Sequence, residues 1–367
     1  MICVSRAEKI YVSYGQDPIP MVKELLSAIN LQGMIPAGAR IGLKPNLVVA
    51  RPAREGATTD PEVVEGVIQY LRDCGFRDLA VLEGSWVGDS TQRAFQVCGY
   101  ADLAARYGVE LIDLQKDSSH IRRVEELELH VCDELSRIDF LINFPVLKGH
   151  CQTKITCALK NLKGCIPNRE KRRFHTLGLH KPIAYLNKAV RTGLVVVDGL
   201  LGDLDFEEGG NPVQMDRIIV GTDPVQIDSY VASLLGYEPA EIPYITLAEK
   251  LGVGKVFSGS DEVEVVGARH TTSRIKSARQ VEELARIVRE DQACSACYGS
   301  LIHALGRLRE RGLFSRLPEP ILIGQGFKGK RRQGIGIGSC TRGFASHVQG
   351  CPPTAREILD FLYEQLA

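Results

Sequence analysis

The chain has 367 residues, 44% of them hydrophobic and 25% charged, which is globular composition in a length too great for one ordinary core, so two domains are expected. Lys+Arg and Asp+Glu both total 45, which removes any net-charge argument for nucleic acid or an anionic membrane surface. The opening Met-Ile-Cys-Val-Ser-Arg-Ala-Glu-Lys has no apolar h-region, and no apolar run approaches the roughly 18 residues of a membrane span, so a cytoplasmic protein without membrane contact is expected.

In chain order, Ala39-Arg-Ile-Gly-Leu-Lys-Pro-Asn46 reads as a strand running into a loop. Asp60 and Pro61 form an N-cap and N1 pair, Val63, Val64, Val67, Ile68 and Leu71 follow at helical spacing, and Gly75 ends the run. Asp78–Glu83 is a second strand, residues 90–107 read as helical, and Leu111–Leu114 is a short strand after Gly108. Phe140–Phe144 and Leu194–Asp198 are apolar enough to be buried on both faces, as strands of parallel sheets are. Ile218–Val220 leads to Asp223-Pro224, a second cap that opens a helix to about Leu235. Alternating strands and helices predict an α/β fold with an open, mostly parallel sheet and flanking helices. Ligands of such sheets bind outside the carboxyl ends of the strands. The character changes after Gly267: a charged helix is expected over 273–290, then a smaller α-rich region with the metal ligands. The domains are therefore placed at 1–270 (α/β core) and 271–367 (cysteine region).

Lys148 to Arg191 carries eleven Lys or Arg, three His and one acid, Glu170, and it starts where a buried strand ends. Position after a strand favours a site for a small anionic molecule, with carboxylate or phosphate held by Lys, Asn and His donors. The competing reading is a solvated loop whose charges pair with Asp203, Asp205, Glu207 and Glu208. Arg169, Lys171, Arg172 and Arg173 are the part assigned to solvent. Two aromatics, Phe174 and Tyr185, are too few for a nucleic-acid surface. Lys44 and Asn46 lie at another strand end, and Asp198 closes an apolar strand. His150 and His180 are candidate acid–base groups, whereas Asp223 is most simply a helix cap. No Gly-x-Gly-x-x-Gly follows the first strand, and there is no Walker-type loop.

Eleven cysteines, an odd number in a reducing compartment, argue against a disulfide framework. Cys3, Cys74, Cys98 and Cys132 lie among apolar neighbours and read as small buried hydrophobes. Cys294 and Cys297 (Cys-Ser-Ala-Cys), Cys340 and Cys351 (Gly-Cys-Pro-Pro) gather in the last quarter, and four thiolates saturate a tetrahedral zinc or hold a 4Fe–4S cluster. The first pair precedes a helix with Leu301, Ile302, Leu305 and Leu308 on one face. Cys351 precedes a capping box of Thr354 and Glu357, and Gly334-Ile-Gly-Ile-Gly338 leads into Cys340. Separated single cysteines suit iron–sulfur better than a zinc knuckle built of two close pairs. Gly-Cys-Pro-Pro before a helix resembles the last cluster-ligand segment of the respiratory complex I small subunit. Zinc stays as the alternative, with Cys151, Cys157 and Cys165 as rival ligands.

Lys44-Pro-Asn-Leu, Thr58-Thr-Asp-Pro61, Asp139-Phe-Leu-Ile-Asn-Phe-Pro-Val-Leu-Lys-Gly-His150, Ala158-Leu-Lys-Asn-Leu-Lys-Gly164, His180, Val197-Asp-Gly199 and Asp223-Pro-Val-Gln-Ile-Asp228 together resemble the domain of unknown function 362 family. The match follows chain order over roughly 40–267. The resemblance implies an α/β core often joined to an iron–sulfur module, and it selects Lys44, Asn46, Lys148, His150, Lys160, Asn161, His180, Asp198, Asp223 and Asp228. Members that carry the module as a compact ferredoxin-like run differ from this chain.

The expected function is an iron–sulfur redox enzyme on a small anionic substrate. Lys44, Lys148 and Lys160 fix its oxygens, Asn46 and Asn161 orient it, and His150 or His180 moves protons, with Asp198 beside them. Two alternatives stand: a lyase, isomerase or transferase with a structural metal, or an electron-transfer or cluster-carrying module served by an electron-donor protein.

Overall fold

The computed structural model describes residues 9–205, 207–267, 275, 280–318 and 320–366. Apolar runs bounded by turn residues form the strands, and the capped periodic stretches between them form the helices. In order these are β1 (Ile10–Tyr14), α1 (Pro18–Ala28), β2 (Ile41–Pro45), α2 (Pro61–Asp73), β3 (Leu79–Glu83), α3 (Thr91–Val97), α4 (Tyr100–Tyr107) and β4 (Glu110–Asp113), then a hairpin of β5 (Ser119–Val124) and β6 (Leu127–Cys132). β7 (Phe140–Phe144) precedes the short ribbon β8 (Lys148–His150) and β9 (Lys154–Thr156). The helices α5 (Ala158–Asn161), α6 (Asn168–Thr176) and α7 (His180–Ala189) follow. The hairpin β10 (Leu194–Asp203) and β11 (Pro212–Gly221), then α8 (Pro224–Leu234), α9 (Pro243–Lys250) and β12 (Val263–Val265), complete this part.

One eight-stranded sheet has the order β12-β1-β11-β10-β7-β2-β3-β4. The run β10-β7-β2-β3-β4 is parallel throughout, β12 is parallel to β1, and β11 lies antiparallel between β1 and β10. The mostly parallel open sheet expected from the sequence is thus the framework. α2 begins as read, with Asp60 accepting the Glu62 N–H and Pro61 at its first position. Val63, Val64, Val67, Ile68 and Leu71 join Leu43, Ile142 and Val196 of the strands in one buried cluster. Burying those five side chains contributes on the order of 10 kcal/mol before chain entropy is counted. The stretch 90–107 is two helices, broken at Gly99, whose φ of +81° no helix accommodates.

The described residues form two compact units: one from those up to 149, 155–171 and 180–275, the other from 150–154, 172–179 and 280–366. The second unit holds α10 (Gln280–Ala285), β13 (Val288–Glu290), α11 (Ser295–Glu310), β14 (Ile321–Ile323), β15 (Arg332–Ile337), β16 (Phe344–Val348) and α12 (Ala355–Glu364). Besides the expected helices it contains a four-stranded parallel sheet, β13-β14-β15-β16. Its strands of three to six residues, with Gly334 and Gly336 in β15, are too short and glycine-rich for periodicity to reveal. The expected helix over 273–290 falls partly outside the described residues. Its described part is α10 followed by β13, because Val288–Glu290 pairs with Ile321–Ile323. The boundary near 270 lies outside the described residues. No described helix is long and apolar enough to cross a membrane.

Candidate functional site

β2, β3 and β7 end side by side, and each delivers a polar side chain at its last turns: Lys44, Glu83 and Asn143. Lys44 Nζ donates to Glu83 Oε2 at 2.9 Å, to the Pro45 carbonyl at 3.0 Å and to Asn161 Oδ1 at 3.4 Å. Asn161 in turn donates to Asn143 Oδ1 at 2.7 Å, and Asn143 to the Ala158 carbonyl at 2.9 Å. On the neighbouring side Lys148 Nζ donates to the Ala57 carbonyl at 2.6 Å, the Glu207 carbonyl at 3.0 Å and Asn46 Oδ1 at 3.3 Å. Lys160 Nζ reaches Thr156 Oγ1 at 3.2 Å and ion-pairs with the Glu207 carboxylate. Lys44 and Asn161 therefore share one buried hydrogen-bonded set, and Asn46, Lys148 and Lys160 a second, adjoining along the chain through Lys44–Asn46 and Lys160–Asn161, in a single strand-end network at the carboxyl side of the parallel strands.

This network is closed. Lys44 and Lys148 are 0% exposed and Lys160 is 3% exposed. Burial pushes the Lys148 ammonium down to about 8, against the pull of Glu207. Glu83 also accepts the Leu47 N–H at 3.0 Å and the Gly84 N–H at 2.6 Å, so one carboxylate serves a buried lysine and two backbone donors. Gly164 lies over this pair: a Cβ there would stand 1.9 Å from Glu83 Oε1 and 2.6 Å from Lys44 Nζ, which is why Lys-Asn-Leu-Lys must end in glycine. The assignment of Lys171 to solvent is corrected. Its Nζ is buried against the Ser85 and Gly84 carbonyls at 2.7 and 2.9 Å, because α6 turns that side chain inward while Arg172 stays exposed. Sequence reasoning missed the roles of Asn143, Glu207 and Lys171. The signal available was the polar residue closing each strand, and an acid-rich turn between β10 and β11.

Asp198 does not end its strand; β10 runs on to Asp203 through a bulge between Gly199 and Leu201. Asp198 Oδ2 accepts the Asp60 N–H at 2.8 Å and Oδ1 accepts the Leu200 N–H at 3.0 Å, tying α2 to β10. Burial, then the charge of Asp60, lifts its carboxyl to about 7. A folded value above the unfolded one means that the folded state binds the extra proton. Stability from this group is present below pH 4 and is lost as pH rises through 7. Urea unfolding of wild type should therefore show a stability loss over that window of up to about 1.4 kcal/mol per pH unit from this site. Asp198→Asn should remove that component; an unchanged slope in the variant would refute the assignment.

His180 opens α7 and stacks on Tyr244, with ring centroids 5.8 Å apart and planes at 22°. Its Nδ1 is buried without a hydrogen-bond partner, and burial lowers its pKa. Among the described residues no hydrogen bond links it to the lysine network. In the second unit, His150 Nδ1 accepts the Gln152 N–H at 3.0 Å and the Thr153 N–H at 3.1 Å. A ring nitrogen that accepts twice carries no proton, so Nε2 holds the hydrogen and His150 is a neutral donor. Asp223 is the α8 cap, accepting the Val225 and Gln226 N–H groups, as read.

Within the second unit the four cysteines come from three segments. Cys294 is the N-cap residue of α11 and Cys297 lies in its first turn, where the helix dipole favours thiolate. Burial pushes the Cys297 thiol up to about 12, assisted by the charges of Cys294, Cys351 and Cys340, so the four share one neighbourhood. Gln325 Nε2 donates to Cys294 Sγ at 3.6 Å, and Gly338 leaves room beside Cys297 Sγ, 3.8 Å from where its Cβ would be. Such donors and close backbone approach suit a sulfur-ligated group. Among the described residues no three His, Cys, Asp or Glu side chains close to the distances of ligands around a single ion. Cys98 and Cys132 are buried as expected and Cys74 is half-buried, while Cys3 lies outside the described residues. Cys157, a rival ligand in the sequence, is buried and its thiol bonds Asp228.

An open α/β protein with a closed Lys–Asn–Glu network at its central strand ends, continued by a small cysteine-bearing α/β unit, is the class these features define. The chain belongs to the family described as Domain of unknown function (DUF362), which matches residues 41–233. It is 27% identical over 245 residues to the thylakoid-associated protein sll1697 of Synechocystis sp., covering 63% of this chain and 74% of that protein. It is similar, at a TM-score of 0.40 and 11% identity, to the lactate racemase apoprotein from Thermoanaerobacterium thermosaccharolyticum, over 63% of this chain. The chain spans 57% of that structure's length.

Proposed function

We propose that the chain is an iron–sulfur protein, a redox enzyme in which Cys294, Cys297, Cys340 and Cys351 hold a 4Fe–4S cluster and the strand-end network takes a small anionic molecule. Its basis is the approach of Gly338, two residues before Cys340, to Cys297 Sγ and to the carbonyl of Gly350, which precedes Cys351: a Cβ on Gly338 would stand 3.8 and 3.4 Å from them. A four-iron cluster binds each thiolate at its own iron, so it needs no closure around one point, and when bound it supplies one-electron transfer. Lys160 is ion-paired with the Glu207 carboxylate, so an incoming carboxylate or phosphate would take the place of that partner. Lys148 would hold a second oxygen, with Asn46 and Asn161 orienting the molecule. Lys44, committed to Glu83, fixes the end of β2. Within the unit that holds the network, His180, whose Nδ1 is uncommitted, is the histidine able to give and take a proton; His150 is a neutral Nε2–H donor of the second unit.

Anaerobic purification should give a coloured protein with about four iron and four sulfide per chain and a visible band that bleaches with dithionite. Cys294→Ser and Cys340→Ser should each lower the iron content severalfold; full iron in both variants, or zinc in its place, defeats the ligand assignment. A second reading, an electron-transfer or cluster-carrying module without substrate chemistry, is favoured by the burial and full pairing of Lys44, Lys148 and Lys160. Titration of small carboxylates and phosphate into labelled protein separates the two, since only an enzyme of the first kind shifts Lys160 and Asn161.

A further inference from the structure

We infer that the C-terminal unit presents a docking surface for a small acidic redox protein, formed by Lys328, Lys330, Arg331, Arg332 and Arg342 beside Cys340; this rests on the iron–sulfur reading above. Between residues 320 and 356 the sequence has six Lys or Arg and neither Asp nor Glu, in a chain whose charges cancel as a whole. The segment holds β14, β15 and β16 together with Cys340 and Cys351. Folding gathers its cations. Lys330 Nζ and the Arg332 guanidinium both lie over the Phe327 ring, 5.6 and 5.9 Å from its centre. Gly343 packs so closely on Lys330 that a Cβ would stand 2.5 Å from the Lys330 carbonyl, which brings Arg342 to the same patch. Lys328 is near enough to Cys340 for its charge to act on that thiol. All five side chains are exposed, and so is Cys351. Among the described residues only Lys330 has an acidic partner, Asp291 at 3.6 Å.

Positive charge left unpaired around the exposed side of a redox centre steers a partner of opposite sign, and such encounters are small, polar and fast. Two other polyanions fit less well. Among the described residues none of the exposed large apolar side chains lies between 280 and 366, so this patch offers a membrane no apolar anchor of its own. Phe327 and Phe344 are buried and meet edge to face, with ring centroids 5.7 Å apart, so no exposed phenylalanine of this patch is offered to a nucleic-acid base.

The test uses the full chain purified anaerobically, with a small acidic two-iron ferredoxin as the probe. Iron and sulfide are measured first on wild type, on the triple variant Lys328→Glu/Arg331→Glu/Arg342→Glu, and on the control Lys250→Glu in α9. Binding is then followed by calorimetry at low and physiological ionic strength. We expect wild-type affinity to fall with salt, the triple variant to lose about tenfold or more, and the control to bind as wild type. Full iron with no binding, or equal binding by the triple variant, overturns the surface and leaves the cluster standing. An iron-free wild type removes the cluster reading and the docking inference with it. Charge-dependent binding to phosphatidylglycerol vesicles without binding to the ferredoxin overturns the inference in favour of a membrane surface.

Discussion

Glu83→Ala is expected to lower the unfolding free energy by about 3–5 kcal/mol, because it leaves a buried cation unpaired. Lys44 and Glu83 have side chains 0% and 3% exposed, so water cannot replace the lost carboxylate. Two further donors, the Leu47 and Gly84 N–H groups, lose their acceptor in the same step. With total stability of about 5–15 kcal/mol for a typical domain, that is a large fraction. Removing both charges tells the pair from its parts. In Lys44→Met/Glu83→Gln the buried cation is gone and one amide oxygen still accepts a backbone N–H, so about half of the loss should return. Urea midpoints with unchanged slopes measure this directly. If Glu83→Ala stays within about 1 kcal/mol of wild type, the pair is hydrated and the closed network is not what holds these strand ends.

The sequence carried the framework because its physical signals are local. Asp60-Pro61 and Asp223-Pro224 cap helices whatever surrounds them, and both do so here. Lys44 and Asn46 stood out as polar residues closing an apolar strand, and the network contains both. What stayed hidden depends on contacts between distant segments. Lys171 sits in Arg-Glu-Lys-Arg-Arg, which reads as a solvated run; only the approach of the Gly84 and Ser85 carbonyls turns that lysine into a buried donor. Glu207 read as a surface partner for basic residues, and it is indeed the partner of Lys160, but inside the network. The antiparallel pairing of β10 with β11 was hidden by the bulge near Gly199, which interrupts the alternation that would mark a hairpin. The cysteine segments were legible as a group because thiol count and spacing are compositional, whereas the parallel sheet beneath them is made of strands too short to announce themselves.

Asp228→Ala is expected to cost about 2–4 kcal/mol and to loosen the turn that carries Lys160 and Asn161. Asp228 projects from α8 and is fully buried. Its Oδ1 accepts the Ala158 N–H at 2.7 Å, its Oδ2 accepts the Leu159 N–H at 3.2 Å, and the Cys157 thiol bonds to it as well. α5 has only four residues, too few to hold itself by its own hydrogen bonds, so its start is fixed from outside by this one carboxylate. Alanine orphans two buried N–H groups, each worth about 1–3 kcal/mol when left unpaired. Asparagine keeps one acceptor and should recover roughly half. Hydrogen exchange reads the local effect: the Ala158 and Leu159 amides should lose protection in Asp228→Ala well beyond the global change, while amides of α2 follow global stability alone. A structural role confined to α8 would instead expose α8 amides and spare α5. If Ala158 and Leu159 keep wild-type protection, Lys160 and Asn161 are held by their own partners, and the dependence of this turn on Asp228 fails.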